Sequence, residues 1–304
     1  MANQINIIGD AYKKFGLKHT SLSTAKMPHY IRFFKKHILT YKESKKLSNC
    51  SLTGGTLAHL VVQEALTKKI PLDDVINGEL IQNKINEYVP IHEKDKMKFK
   101  FILKFLKPTA QNHLENIKEL NETDQNWIDE EERILWTPPV NTYWKMQIDL
   151  INKNYFGDLK NKFGNVSNKP LKKQTDKVNE NRMGDWVYST PRIDDRIFTS
   201  DLMQIALYKK AVGLKPFLSY ASHNDRRLFT EENTPELKQE NLDMWLKELM
   251  IMEMSWEKKL EIADGDLTKL AWLNVPDFSD IRKKSFWWDG VPNKYINRYL
   301  KYYE

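Results

Sequence analysis

The sequence predicts an α/β protein in which a central mixed β-sheet is flanked by helices. Three observations carry that expectation. Short runs rich in β-branched and aromatic residues fill 131–160 and recur at 217–220. Stretches with apolar residues every three or four positions lie before 120 and after 200. Strands with helices on both sides in sequence are the pattern of a layered α/β domain. The helices gather at the two ends rather than alternating with strands, so a regular doubly wound order is not expected.

Taken in chain order, residues 1–50 form a basic, aromatic segment. Tyr30, Phe33 and Phe34 fall at i, i+3 and i+4, one face of a helix entered through Pro28. Aromatics interleaved with Arg32 and lysines can bind a single-stranded nucleic acid by stacking and charge; the same stripe can be the buried side of a helix. At 53–66 the paired Gly54 and Gly55 read as the end of a loop, with Thr56 capping an amphipathic helix. Residues 72–120 read as helical, with Pro108 opening a further helix. Two or three strands are expected over 131–160, with a turn at 152–154, and 161–200 reads as a basic insertion holding a short strand at 186–188. A helix runs from Asp201 to a stop at Gly213, then come a strand at 217–220, a long helix at 235–262 and a basic aromatic helix at 292–303. The expected organisation is a helical segment, 1–50, packed on the core of one domain, 51–304.

The 304 residues carry a net charge of +7, a balance that suits a polyanionic partner. Cys50 is the single cysteine, which excludes an internal disulfide framework and any four-cysteine zinc or iron–sulfur site. No apolar run approaches the ~20 residues of a membrane span, and the first residues lack the pattern of a secretory signal. A cytoplasmic location, the host cytoplasm for a viral protein, is the expectation, with no membrane partner. G-x-x-x-x-G-K-[ST], G-x-G-x-x-G and H-E-x-x-H are all missing, so no bound nucleotide and no zinc-protease chemistry are expected.

The chemistry-bearing pattern is Asp149, then Asp158-Leu159-Lys160. If the two runs form one hairpin, Asp149 and Asp158 converge, and Lys160 shares a sheet face with Asp158. Paired carboxylates are hard oxygen ligands for Mg²⁺ or Mn²⁺, and a neighbouring ammonium can orient the attacking water. This is a candidate for metal-assisted phosphodiester hydrolysis. His59 alone reads as a hydrogen-bonded core histidine or a ligand. Gln204 and Tyr208, at i and i+4, share a helix face and read as a polar edge or as groups that orient a catalytic lysine.

The order of these elements resembles the RecB-like branch of the PD-(D/E)XK nuclease superfamily. Gly55-Thr56-Leu57-Ala58-His59 is similar to its helical histidine motif, and Gln147-Ile148-Asp149-Leu150 to its G-x-x-D strand. Gly157-Asp158-Leu159-Lys160 is similar to its D-x-K strand, and Gln204 with Tyr208 to its Q-x-x-x-Y helix. The likeness spans about residues 50 to 210, with an echo at 21–34. Met146 stands where the family has glycine, and the cysteines of the iron–sulfur subgroup are missing, which leaves the plain exonucleases, the mitochondrial genome maintenance exonuclease and phage relatives among them.

The resemblance implies a restriction-endonuclease-like core and a divalent cation, Mg²⁺ or Mn²⁺, held by Asp149, Asp158 and the Leu159 carbonyl, with His59 completing the site. It implies that Lys160 holds the nucleophilic water, that Gln204 fixes the lysine, and that Tyr208 contacts the nucleic acid. Lys169, Lys172, Lys173 and Lys177 would form a basic flap over the strand, with Arg32 at the entrance. The expected activity is a DNA exonuclease acting on single strands or ends in recombination, repair or replication, with a helicase or recombination protein as a further partner. Two alternatives remain open: a non-catalytic nucleic-acid-binding protein that keeps the fold, and an assembly protein docking through the aromatic tail 286–303.

Overall fold

The computed structural model describes residues 8–47, 49–122, 126–169, 180–284 and 287–304. Three strands in succession open the sheet: β1 (Ile128–Trp136), β2 (Tyr143–Ile151) and β3 (Tyr155–Asn161). β4 (Val166–Asn168), β5 (Arg182–Met183) and β6 (Trp186–Tyr188) follow, then β7 (Lys215–Ala221) and β8 (Arg226–Thr230). The main sheet has the order β1-β2-β3-β7-β8. Among the pairings of its described strands β3–β7 is parallel and the rest antiparallel, so the sheet is mixed, as the sequence predicts. The β2–β3 hairpin turns at Asn152, whose side-chain oxygen accepts from the Asn154 and Tyr155 amides at 2.9 and 2.7 Å, an Asx turn that also fixes the register.

Helices cover both faces. Before the sheet come α1 (Asp10–Lys14), α2 (Leu22–Ala25), α3 (His29–Phe33), α4 (Tyr41–Lys46), α5 (Cys50–Lys68), α6 (Leu72–Asn77), α7 (Glu79–Glu87), α8 (Glu93–Lys104) and α9 (Leu106–Glu119). After it come α10 (Thr199–Val212), α11 (Gln239–Ala263), α12 (Leu267–Trp272), α13 (Phe278–Lys283) and α14 (Asn293–Leu300). α10 and the first half of α11 pack over one face through Ile205, Leu207, Leu242 and Leu249, against Trp144, Ile148, Phe156 and Leu218. α5 and α9 pack on the other through Leu57, Val61, Ile102 of α8 and Ala110, against Leu150, Leu159 and Phe217.

Two expectations need correction. The Gly54–Gly55 pair does not end a loop: α5 is capped earlier by Asn49, whose side chain accepts from the Leu52 amide at 3.0 Å, and the glycines lie within the helix. A Cβ at Gly54 would sit 2.6 Å from Ile102, so glycine there is what lets α5 and α8 approach. Within the insertion the expected strand at 186–188 is present as β6, and β4, β6 and β5 form a small antiparallel sheet whose Val166 and Tyr188 pack on Phe101 and Phe105. The aromatic stripe of the N-terminal segment is the buried side of its helix, one of the two readings the sequence leaves open: Ile31, Phe33 and Phe34 bury themselves with Trp256, Trp288 and Tyr299 of the C-terminal helices. β8 was not legible in the sequence.

Arg32 is the second correction. Its side chain is 2% exposed and forks onto Glu253, which is fully buried, through two bonds of 2.6 and 2.7 Å. Its guanidinium also lies 4.5 Å from the Trp256 ring. A guanidinium committed on its plane and its edge is not available to a nucleic acid.

Candidate active site

The site forms where two strands separate. β2 and β3 pair over two rungs only, Leu150 with Gly157 and Ile151 with Phe156. The next rung in that register sets Asp149 opposite Asp158, and there the ladder stops. The freed backbone groups are taken up by side chains, as buried peptide groups must be. The Leu159 amide donates to Asp149 Oδ2 at 2.8 Å, the Gln147 carbonyl accepts from the Tyr208 hydroxyl at 2.6 Å, and the Asp149 carbonyl accepts from Gln63 Nε2 at 2.7 Å. On the far side of the fork the Thr20 segment bridges β2 at Trp144.

The fork gathers Asp149, Asp158, Lys160, Gln204 and Tyr208, with His59 reaching in from α5. His59 Nδ1 stands 3.5 Å from Asp149 Oδ1. Lys160 Nζ lies 2.5 Å from Asp158 Oδ2, donates to Gln204 Oε1 at 2.9 Å and has Asp201 Oδ1 at 3.7 Å. Gln204 Nε2 donates both to Asp158 Oδ1 and to the Tyr208 hydroxyl, each at 2.8 Å. The i, i+4 stacking of Gln204 and Tyr208 on α10 makes this double role possible.

Burial sets the electrostatics. Asp158 is 1% exposed, and burial with the nearby Asp149 and Asp201 charges holds its carboxyl above the ordinary range against the pull of Lys160. For Lys160, burial works against the charged form, but Asp158, Asp201 and Asp149 outweigh it and the ammonium stays protonated well past its usual limit. The buried Asp158 Oδ2 has the Lys160 ammonium as its partner, at 2.5 Å.

Tyr208 is 4% exposed and bonded inward, so it holds the fork and does not offer its ring to a strand, contrary to the expectation. Lys169 is exposed at the end of β4, its amide on the Asp185 carbonyl and its own carbonyl receiving Arg182. Lys172, Lys173 and Lys177 lie outside the described residues. Met146 is buried with Trp144 and Ile148 in the core beneath α10. The cluster in the fork therefore keeps clear of the side chain that departs from the motif.

Sequence reasoning missed several residues that the fold brings in. Gln63 stands one turn after His59, and Asp201 one turn before Gln204; the i, i+4 and i, i+3 spacings were available as signals. Asp201 accepts from the Tyr220 hydroxyl at 2.5 Å. His113 is fully buried behind the site, bonded to Ser219 at 2.7 Å and to Asn161 at 3.2 Å. Only the tertiary fold reveals it. Lys26 of the N-terminal segment donates to the Ser200 carbonyl at 3.2 Å; burial first, then Lys160, lower its pKa.

No family model matches the sequence, and no curated protein matches it either. Among solved structures the chain is similar to one from Eubacterium rectale termed "Putative exonuclease", at 15% identity over 84% of this chain and 87% of that one, with a TM-score of 0.40. It is also similar to the protein SSO0001, at 13% identity over 74% of this chain and 84% of that one, with a TM-score of 0.25. At such scores neither likeness carries an argument, and function rests on the site.

Proposed function

We propose that the chain is a divalent-metal-dependent DNA exonuclease of the RecB-like PD-(D/E)XK branch, with a restriction-endonuclease-like core, acting on single strands or DNA ends. The observation that carries this reading is the convergence of Asp149, Asp158 and Lys160 in the β2–β3 fork, with His59 beside Asp149. As the side chains stand, no group of three His, Cys, Asp or Glu among the described residues closes around an ion. The donor chemistry nevertheless fits one: two carboxylates, an imidazole and the Leu159 carbonyl are hard oxygen and nitrogen ligands. Mg²⁺ or Mn²⁺ bound there would lower the pKa of a water and neutralise charge on the phosphate.

The chain's own residues then have separable tasks. Lys160 presents an ammonium that stays charged at any physiological pH, suited to orienting a water and stabilising a phosphorane-like oxygen. Gln204 holds that ammonium through Oε1 and Asp158 through Nε2, so lysine and carboxylate keep one geometry. Tyr208 fixes Gln204 against the β2 backbone. His59 orients Asp149, whose second oxygen is occupied by the Leu159 amide.

The test is digestion of end-labelled single- and double-stranded DNA with Mg²⁺ or Mn²⁺ and, in parallel, with chelator. Metal-dependent release of nucleotides from ends is expected. The non-catalytic alternative draws on the close Lys160–Asp158 pair, which neutralises the carboxylate a metal needs; DNA binding with no product under either metal would favour it.

A further inference from the structure

Behind the fork, on the face of the sheet covered by α5 and α9, a run of hydrogen bonds crosses from α9 to α5. Asn116 Nδ2 donates to Ser219 Oγ at 2.9 Å, and Ser219 Oγ lies 2.7 Å from His113 Nδ1. His113 Nε2 lies 3.2 Å from Asn161 Oδ1, and Asn161 Nδ2 donates to the Gly55 carbonyl at 3.4 Å. His113, Asn116 and Ser219 are fully buried. We infer that His113 is a positioning residue of the candidate active site: a neutral ring carrying its proton on Nε2, it acts through Asn161 to set α5, which bears His59, against the end of β3, which bears Lys160. The inference rests on the metal-dependent reading above and adds what holds the imidazole ligand in place.

Both ends of the run dictate the same proton arrangement. The Gly55 carbonyl can only accept, so the Asn161 amide turns its NH₂ to α5 and its oxygen to His113. That oxygen can only accept, so Nε2 must carry the ring proton. At the other end the Arg226 guanidinium donates to Asn116 Oδ1 at 2.9 Å, which leaves Nδ2 to face Ser219. Ser219 Oγ, receiving that bond, gives its own proton to Nδ1, the unprotonated nitrogen. Burial keeps the ring uncharged by lowering its pKa to about 3.

Its location ties the run to the site. Asn161 follows Lys160 directly, and the two pair with Ala221 and Tyr220 of β7 in parallel register. Gly55 lies one turn before His59 in α5, and in a regular α-helix its carbonyl accepts from the His59 amide. Asn161 therefore neighbours the lysine in sequence and shares a backbone acceptor with the histidine. Ser219 stands opposite Leu159, whose carbonyl belongs to the proposed ligand set. Apolar side chains at 113, 116 and 219 would fill this layer without the desolvation cost of buried polar groups. They could not supply a directional link across α9, β7, β3 and α5.

The test uses the whole protein with its histidines labelled with ¹⁵N. Two-bond ¹H–¹⁵N correlation spectra in chelator should show His113 as the Nε2–H tautomer, and Asn161→Ala should shift the ring signals of His59 as well as those of His113. Mn²⁺ affinity without DNA, read from the electron paramagnetic resonance of the free ion, should fall about 10- to 100-fold in Asn161→Ala, the usual range for an outer partner of a metal ligand. Rescue separates positioning from packing. His113→Gln places an amide NH₂ where Nε2–H stood and should bind Mn²⁺ nearly as well as wild type. His113→Asn keeps only the contact with Ser219 and should lose as much as Asn161→Ala. Urea unfolding checks that each variant is folded. A His113 ring protonated on Nδ1 overturns the assignment, as do His59 signals or Mn²⁺ affinity unmoved in Asn161→Ala. Equal Mn²⁺ affinity in folded His113→Gln and His113→Asn overturns it too. Wild-type protein that binds no Mn²⁺ is a separate result: it refutes the metal reading, and the tautomer together with the His59 shift then decides the positioning role.

Discussion

Replacing Arg32 with alanine should cost about 4 kcal/mol of folding stability and leave nucleic-acid contacts intact. Glu253 is fully buried and receives the guanidinium at 2.6 and 2.7 Å, with the Tyr12 hydroxyl at 2.7 Å as a further donor. Removing one partner of a buried ion pair typically costs about 3–5 kcal/mol, because the survivor keeps its charge without compensation. The contact with Trp256 at 4.5 Å is lost as well, while the Tyr12 hydroxyl retains part of the solvation of Glu253. Against a total stability of about 5–15 kcal/mol this is a large fraction. Urea unfolding with linear extrapolation measures it. A second variant isolates the cause: Arg32→Met with Glu253→Leu removes both charges and should recover most of the loss. At a temperature where Arg32→Ala remains folded, its salt dependence of DNA binding should match wild type. A cost below about 1 kcal/mol, or a double variant as unstable as the single one, would refute the argument that an orphaned charge is the source.

Lys160→Ala should lower kcat by about 100- to 1000-fold, the usual size for a group that stabilises charge in the transition state, with DNA affinity in chelator little changed; single-turnover digestion reads this, and undiminished cleavage assigns the chemistry elsewhere. Adjacent glycines should respond with opposite sign. Gly54→Ala meets Ile102 at 2.6 Å and should destabilise by about 1–3 kcal/mol, whereas Gly55→Ala has open space and should stabilise by up to ~1 kcal/mol, both by urea unfolding. Acid should weaken the fold early. Burial lowers the pKa of His113 to about 3 and those of His37 and His29 to about 4. Between pH 6.5 and about 4 the unfolded chain therefore binds protons that the native chain does not. Stability is fully present above pH 6.5 and falls as pH drops, by up to about 1.4 kcal/mol per pH unit for each such histidine; a flat stability profile over that window would count against the buried neutral rings.

Residues that repeat at short intervals were legible in the sequence, and residues joined across it were not. Asp158 and Lys160 share a face because of strand alternation, and Gln204 and Tyr208 because of helical repeat, so their proximity follows from local geometry alone. Asp149 needed only a hairpin turn, which the Asn152 side chain supplies. Arg32 was misassigned because nothing near it in sequence announces Glu253, 221 positions away. Read locally, a cation among aromatics is equally a nucleic-acid contact or a core ion pair. The glycine pair failed for a related reason. Glycine marks both turns and close helix approach, and only Ile102 of α8 decides between them.

The fork also explains why the candidate site belongs to the sheet and is not merely placed on it. An antiparallel pair that stops after two rungs leaves peptide groups that cannot remain unpaired in the interior. Here Asp149, Gln63 and Tyr208 satisfy them, and Tyr208, through Gln204, sets the positions of Asp158 and Lys160. The Gln204 amide has one possible orientation: its Nε2 has two oxygen acceptors, Asp158 Oδ1 and the Tyr208 hydroxyl, and its Oε1 faces the Lys160 ammonium. Turned over, the amide would set its NH₂ against an ammonium and its oxygen against a carboxylate. The Tyr208 hydroxyl is likewise directional, because it accepts from Gln204 and so must donate to the Gln147 carbonyl. Each bond in this relay therefore dictates the next, from the β2 backbone to the lysine. Precision at Lys160 comes from closing an interrupted ladder, and a substitution that loosens the relay should disturb the strand separation and the site together.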